Sequence, residues 1–333
     1  GPGQLFVALR GERFDAHDFL TQAVTAGAVA LLVADEARVP VGVTALVVDD
    51  TRLALGRIAA AWRARFTIPV IAVTGSNGKT TTKEMIAAIL KVHFGAAVLA
   101  TRGNLNNDIG LPLTLLGLGE SHRAAVIEMG MNHPGEIAYL AGLGAPTVAV
   151  VTNAQRAHLE GMGGLDEVAR EKGSIFSGLT ADGVAVINAD DAYAGLWREM
   201  AAGHEQRSFG IEQPADVRGA LRQHGLETLV TLQSPEGAAE ICLTVPGTHN
   251  ARNALAAIAA ALAKGLWRRD LAGVAWTHLT GFAAAGSVAA LLVGLLVQGR
   301  DGRMATYLGM VVACAVGLWW AGFGPGRRLK RPG

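Results

Sequence analysis

Cysteine and charge are scarce in this chain, and each shortage removes a class of explanation. Only Cys242 and Cys314 occur among 333 residues, far apart and in no ligand-like spacing. That excludes a disulfide or zinc framework and fits a reducing compartment. Charged residues make up 17% and the formal net charge is +1, so the chain offers no basic groove to a nucleic acid. Gly1 to Phe6 lacks the basic segment and long apolar core of a secretory signal. The low charge is uneven: Leu271 to Gly299 and Met304 to Gly326 contain no Asp, Glu, Lys or Arg, which raises the mean hydropathy to +0.31.

What is present concentrates in Val70 to Glu84, a β-branched run, a glycine turn and a helix opening on Lys79 and Thr80. Val70 to Val73 reads as a buried parallel strand. Gly75 and Gly78 permit positive φ and close backbone approach, and the helix after them offers unpaired N–H groups and its dipole to an anion. Lys79 can reach a β- or γ-phosphate and the Thr80 hydroxyl can ligate Mg²⁺. The spacing Gly-x-x-Gly-Lys-Thr is two residues shorter than the usual Walker pattern, and an ordinary glycine turn capping a helix is the plainer alternative.

The chain before it reads as a small α/β unit: strands Leu5 to Ala8, Ala30 to Val33 and Ala45 to Val48, with helices Ala16 to Ala26 and Thr51 to Phe66. Asp15 and His17 lie at its loop-to-helix junction, where they either contact a ligand or cap the helix. Thr67-Ile68-Pro69 is a linker. From Val70 to Asn188 strand and helix alternate, which implies a doubly wound, mostly parallel sheet with sites at the strand C-termini. The polar clusters fall there. Thr101 to Asp108 is too rich in amides for a plain connector, and Glu128 ends the strand Ala124 to Ile127 where a second Mg²⁺ ligand belongs, although a strand-end Glu is structural about as often. His158 follows the strand Val148 to Thr152, and Lys172 sits on a helix from Leu165 to Phe176; each alone is an ordinary surface group. Residues 205–245 are strand-rich, and Pro246 to Asn253 opens an alanine-rich helix with more polar groups (His249, Asn250, Asn253) than one N-cap needs.

Residues 1–265 resemble the Mur ligase family. The matching stretches are Pro2-Gly3-x-Leu5-Phe6-Val7-Ala8-Leu9, the loop Gly75 to Thr82, Gly103 to Asn107 with Ile109 to Thr114, Glu128 to Met131 with Pro134 to Ile137, Asn153 to Glu160, Lys172-Gly173, Asn188 to Asp191, and Pro246 to Asn253. Within the family, Gly103 to Thr114 and Met129 to Ile137 favour the member that adds D-alanyl-D-alanine over those that add diaminopimelate or lysine and over folylpolyglutamate synthases. The resemblance implies an ATP-dependent amide ligase that extends UDP-N-acetylmuramoyl-tripeptide with D-alanyl-D-alanine through an acyl phosphate, in the cytoplasm. It implies ATP on Gly75, Ser76, Asn77, Gly78, Lys79, Thr80 and Thr81 and beside His249, Asn250 and Asn253. One Mg²⁺ would rest on Thr80 and Glu128, and a second on Glu128, His158 and a carbamylated Lys172. Substrate would meet Asp15, His17, Thr101, Asn104 and Asn107. Two positions depart mildly from the family pattern, Ala16 for Gly and Ser174 for Glu. The family's strand before Pro2 and its third domain after Gly265 have no counterpart.

The expected organisation is therefore a UDP-substrate unit over 1–68, a central P-loop ATPase domain over 69–265, and a two-helix transmembrane hairpin over 266–333. Each apolar stretch exceeds the 20 or so residues that cross a bilayer. Arg268, Arg269, Arg327, Arg328, Lys330 and Arg331 outnumber Arg300 and Arg303 of the connector, which places both ends in the cytoplasm and tethers the catalytic part to the inner membrane face. The competing reading is a membrane-tethered nucleotide- or UDP-sugar-binding module without ligase activity.

Overall fold

The computed structural model describes residues 2–11, 13–155, 163–224, 227–243 and 247–263. His158 and both apolar stretches, and with them the expected hairpin, lie outside the described residues. Among the described residues no helix is long and apolar enough to cross a membrane.

The chain opens with a three-stranded parallel sheet of β1 (Leu5–Val7), β2 (Ala30–Val33) and β3 (Ala45–Val47), in that order. The helix expected over Ala16 to Ala26 divides into a 3-10 turn, Ala16–Phe19, and α1 (Leu20–Thr25). Asp15 caps the turn, accepting from His17 N–H at 2.9 Å, and Phe19 leaves helical geometry at the junction with φ −108 and ψ 9. Next comes α2 (Thr51–Arg63), whose N-terminus is capped by Asp50 accepting from the N–H groups of Arg52 and Leu53 at 2.7 and 2.9 Å. Its far end is fastened to the larger sheet unit: Trp62 Nε1 donates to Leu118 O at 3.0 Å and Arg63 Nε to Gly144 O at 3.0 Å. The helix stops at Arg63, three residues short of the expected Phe66, where the guanidinium turns back to Phe66 O at 2.5 Å.

The second sheet has nine strands in the order β12-β11-β10-β9-β8-β7-β4-β6-β5. They are β4 (Val70–Thr74), β5 (Val98–Ala100), β6 (Ala124–Glu128), β7 (Val148–Val151), β8 (Val184–Asn188), β9 (Glu205–Gly210), β10 (Val217–His224), β11 (Glu227–Ser234) and β12 (Gly237–Leu243). From β5 to β10 every pairing is parallel, and β11 and β12 add an antiparallel edge. The helices are α3 (Lys79–Phe94), α4 (Gly110–Leu116), α5 (Glu136–Gly144), α6 (Leu165–Gly173), α7 (Ala194–Met200) and α8 (Thr248–Leu262). The helix expected over Leu165 to Phe176 tightens into a 3-10 turn at Ser174, whose hydroxyl donates to Glu171 O at 2.6 Å.

All five residues of β4 are buried because helices cover both faces of the sheet, so the strand reads as an unbroken apolar run rather than an alternating one. Val70 and Ala72 face Leu111, Leu115, Ile137 and Trp197; Ile71 and Val73 face Ile86, Leu90, Leu255 and Ala259. After β4 the chain builds β5 and β6 on one side and β7 on the other. That reversal opens a crevice beyond the carboxyl end of β4, where a doubly wound sheet binds its ligand.

Candidate active site

The loop from Gly75 to Gly78 occupies this crevice. Gly75 has φ +149, and a Cβ there would run into Thr152 Oγ1; Gly78 has φ +78, and a Cβ there would run into the Asn253 amide. Both positions need glycine for conformation and for room. The N-cap of α3 is Gly78, and no side chain caps this N-terminus, so its first N–H groups are left for an anion. Lys79 folds its ammonium back onto Gly75 O at 2.9 Å and Ser76 O at 3.3 Å. Burial pushes the Lys79 amine below the usual lysine range, while the Glu128 carboxylate opposes that shift.

A second layer holds the loop from the end of β7. Ser76 N–H donates to Asn153 O at 2.9 Å, Asn77 N–H to Asn153 Oδ1 at 3.0 Å, and Thr152 Oγ1 to Asn77 O at 2.8 Å. Gln155 N–H donates to Ser76 Oγ at 2.9 Å, and Ser76 Oγ to Gln155 O at 3.0 Å. The loop from Gly75 to Gly78 is thus tied to the segment from Thr152 to Gln155.

On the other side of β4, Glu128 ends β6 and is buried at 2% exposure. Its Oε1 accepts from Asn106 Nδ2 at 2.8 Å, and its N–H donates to Thr101 Oγ1 at 3.0 Å. Its Oε2 is buried and has no hydrogen-bond partner among the described residues. A buried carboxylate oxygen left open costs free energy unless something fills it. A hard divalent cation such as Mg²⁺ takes that kind of ligand, so the residues present fit one. Among the described residues no group of three His, Cys, Asp or Glu side chains could hold a metal unaided. A cation here would therefore draw on Glu128, the Thr80 hydroxyl and oxygens of its ligand.

The third wall is α6. Lys172 is 1% exposed, and its pKa falls to about 7, chiefly through burial and then through the neighbouring Lys79 ammonium, with Glu171 opposing. Glu171 accepts from Gly135 N–H and Ile137 N–H, both at 2.8 Å, and so seals the N-terminus of α5 and fixes α6 against the segment after Glu128. These electrostatic couplings bring Lys79, Glu128 and Lys172 into one neighbourhood. Asn253, buried on α8, closes over Gly78, with Asn250 half-buried and His249 exposed on the same first turn. The N-cap there is Gly247, and no side chain makes a capping bond.

Other expected residues sit elsewhere. Asn104 is exposed, and Asn107 Oδ1 accepts from Gly110 N–H at 2.8 Å at the start of α4. Asp15 and His17 belong to the small sheet. Ala34 N–H donates to His17 Nε2 at 2.9 Å, so the ring proton sits on Nδ1 and is given to Asp15 Oδ1 at 2.5 Å. Asp15 also takes Arg38 Nη1 at 2.8 Å and Arg10 Nε at 3.3 Å, and these donors, led by His17 N–H, hold its carboxyl below the usual range. Both ring nitrogens of His17 are spent internally, which favours the capping alternative. Asn106, Thr152 and Gln155 were not singled out from the sequence. Asn106 stood inside a run of amides with nothing to rank it, and Gln155 gains meaning only from its bonds to Ser76 and Asn77.

Comparison with known proteins bears on the family and the fold. The Mur ligase middle domain family matches residues 73–261, and the Mur ligase family catalytic domain matches residues 1–63. The chain is 47% identical over 271 residues to the UDP-N-acetylmuramoyl-tripeptide--D-alanyl-D-alanine ligase of Haemophilus influenzae, covering 80% of this chain and 58% of that protein. The Escherichia coli K12 ligase of the same name is 47% identical over 268 residues, at 79% and 58% coverage. A crystal structure of MurF from Acinetobacter baumannii superposes with a TM-score of 0.74 at 42% identity, over 79% of this chain and 57% of that one. MurF ligase from Thermotoga maritima, solved in complex with ADP, gives 0.70 at 27% identity, over 79% and 61%. The chain thus spans 58% of the length of the two curated relatives. Matched over more than half its length by the family's central domain, the chain belongs to the Mur ligase family.

Proposed function

We propose that this chain carries the substrate-holding and ATP-binding parts of a ligase that joins D-alanyl-D-alanine to UDP-N-acetylmuramoyl-tripeptide. The observation that carries the reading is the open N-terminus of α3 with the Lys79 ammonium electrostatically coupled to Glu128, a buried carboxylate with one oxygen that has no partner among the described residues. The relatives named for this reaction, and the one solved with ADP, support the assignment. Residues 1–68 would hold the UDP end of the substrate and residues 69–265 the nucleotide.

In this reading Gly75 to Thr81 cradles the phosphates and Lys79 leaves its own loop carbonyls to meet the γ-phosphate. Asn253 and its neighbours His249 and Asn250 border the base. Thr80 and Glu128 hold one Mg²⁺, and Glu128 with His158 and a carbamylated Lys172 holds another. The ions supply charge stabilisation to the phosphoryl transfer. A pKa of about 7 leaves much of the Lys172 amine unprotonated near neutral pH, as carbamylation by carbon dioxide requires. The tripeptide carboxylate attacks the γ-phosphorus and releases ADP, and the dipeptide amine then displaces phosphate from the acyl phosphate. The chain's own task is positioning and electrostatic preorganisation.

We place the site on the cytoplasmic side, with 271–299 and 304–326 as its membrane anchor; flotation of the full chain with liposomes tests that part separately. For the ligase reading, calorimetry on the full chain should show Mg-ATP binding that Lys79→Ala weakens by about 10- to 100-fold, and binding of UDP-N-acetylmuramoyl-tripeptide that Lys79→Ala spares. Tripeptide binding without Mg-ATP binding would leave only the tethered UDP-sugar module. Binding of neither overturns the reading.

A further inference from the structure

Among the described residues, Lys83 is a fully buried charged side chain that the reaction leaves without a task. It lies on α3 one turn beyond Lys79, at 0% exposure. Its Nζ donates to Thr101 O at 2.8 Å and pairs with Glu84 Oε1 at 2.7 Å. A lysine is almost never fully buried unless paired, and an apolar side chain of the same volume would fill the space without the desolvation cost. The position therefore asks for a donor.

The parallel ladder between β5 and β6 shows what the donor does. Ala100 pairs with Val126, and Thr101 N–H donates to Val126 O at 3.0 Å, as a continued ladder requires. The next bond in that register would run from Glu128 N–H to Thr101 O. It does not form: Glu128 N–H goes to the Thr101 hydroxyl instead, and the displaced carbonyl is taken by Lys83. The edge strand peels away from β6 at this residue. The loop it enters then returns, so that Asn106 Nδ2 reaches Glu128 Oε1 at 2.8 Å and Gly130 N–H donates to Asn106 O at 2.8 Å.

We propose that Lys83 is a positioning residue for the cation site: by capturing Thr101 O it holds the end of β5 open, which places Asn106 on one oxygen of Glu128 and leaves the other for a divalent ion. The inference rests on the reading of Glu128 as a cation ligand. Outer supports of this kind are worth about 10- to 100-fold in metal affinity.

The test uses the full chain with Mn²⁺ as the probe, read by electron paramagnetic resonance, beside ADP affinity in EDTA and far-ultraviolet circular dichroism. Lys83→Met is expected to keep the dichroism and the metal-free ADP affinity while weakening Mn²⁺ binding at least about tenfold, and Lys83→Arg to recover part of it. Thr101→Val, which removes the substitute acceptor, should lower Mn²⁺ affinity to a similar degree and decides the matter if Lys83→Met does not fold. Mn²⁺ affinity unchanged in Lys83→Met, or in Thr101→Val where Lys83→Met does not fold, overturns the role of Lys83. Absence of Mn²⁺ binding by the unsubstituted chain overturns the cation reading itself.

Discussion

Asn106 Nδ2 donates to Glu128 Oε1 across 2.8 Å and leaves Glu128 Oε2 buried with no partner among the described residues. The amide fixes the carboxylate's orientation while withholding satisfaction from half of it. Glu128→Gln should keep the first bond, since an amide oxygen still accepts from Asn106, yet replace the open anionic oxygen by a donor. Mn²⁺ binding to the full chain should then fall by more than about tenfold with thermal stability unchanged or raised. Retained Mn²⁺ affinity in a folded Glu128→Gln chain would show that the open oxygen is not a ligand.

Lys79 makes its present bonds to Gly75 O and Ser76 O, and both bonds are made with the protein's own backbone. Lys79→Ala should weaken ATP binding by about 10- to 100-fold, the equivalent of the roughly 1.5–3 kcal/mol that a hydrogen bond to a charged group contributes. Calorimetric titration of both chains with Mg-ATP measures it. An unchanged dissociation constant would place the triphosphate elsewhere.

Gly75→Ala meets two obstacles at once, φ +149 and the Thr152 hydroxyl in the space of the new Cβ. Urea denaturation should show a loss of about 1–3 kcal/mol from backbone strain alone, with more from the clash. Adding Thr152→Ala should return the steric part and not the conformational part. Full recovery in the double variant would mean that the positive φ carries no strain.

The buried amine of Lys172 titrates at about 7 when folded and near the ordinary lysine value of 10.5 when unfolded. Between those values the unfolded chain binds the extra proton, so this group makes stability rise with pH, by at most about 1.4 kcal/mol per pH unit. Its penalty is fully present below about 7 and is gone above about 10.5. Lys172→Met should therefore be the more stable chain at pH 7 in carbon dioxide-free buffer, and its advantage should shrink toward pH 10. Parallel pH profiles for the two chains would contradict the depressed pKa.

His17 links Asp15 to Ala34 N–H and spends both ring nitrogens on those bonds. His17→Ala should cost about 1 kcal/mol or more by taking its acceptor from the part-buried Ala34 N–H, while Mg-ATP affinity stays as it was. A drop in nucleotide affinity without a drop in stability would move this residue into the site.

Much of this protein is determined by the order of its residues. The run Val70 to Val73 followed by two glycines, Lys79 and Thr80 gives a strand, a turn and a helix start because β-branching, positive φ and an uncapped helix end are local properties. The alternation of strand and helix to Asn188 likewise gives a parallel sheet, since a helix between two strands supplies the long crossover that parallel pairing needs. What the tertiary structure alone decided is which polar groups meet. Asn104, Asn106 and Asn107 are equivalent in a sequence, yet one is exposed, one holds Glu128 and one caps α4. Lys83 and Lys172 read as ordinary helical lysines until the packing of β5 and α6 takes them out of water. Desolvation and long-range hydrogen bonds depend on what the rest of the chain places around a side chain, and no local pattern encodes that.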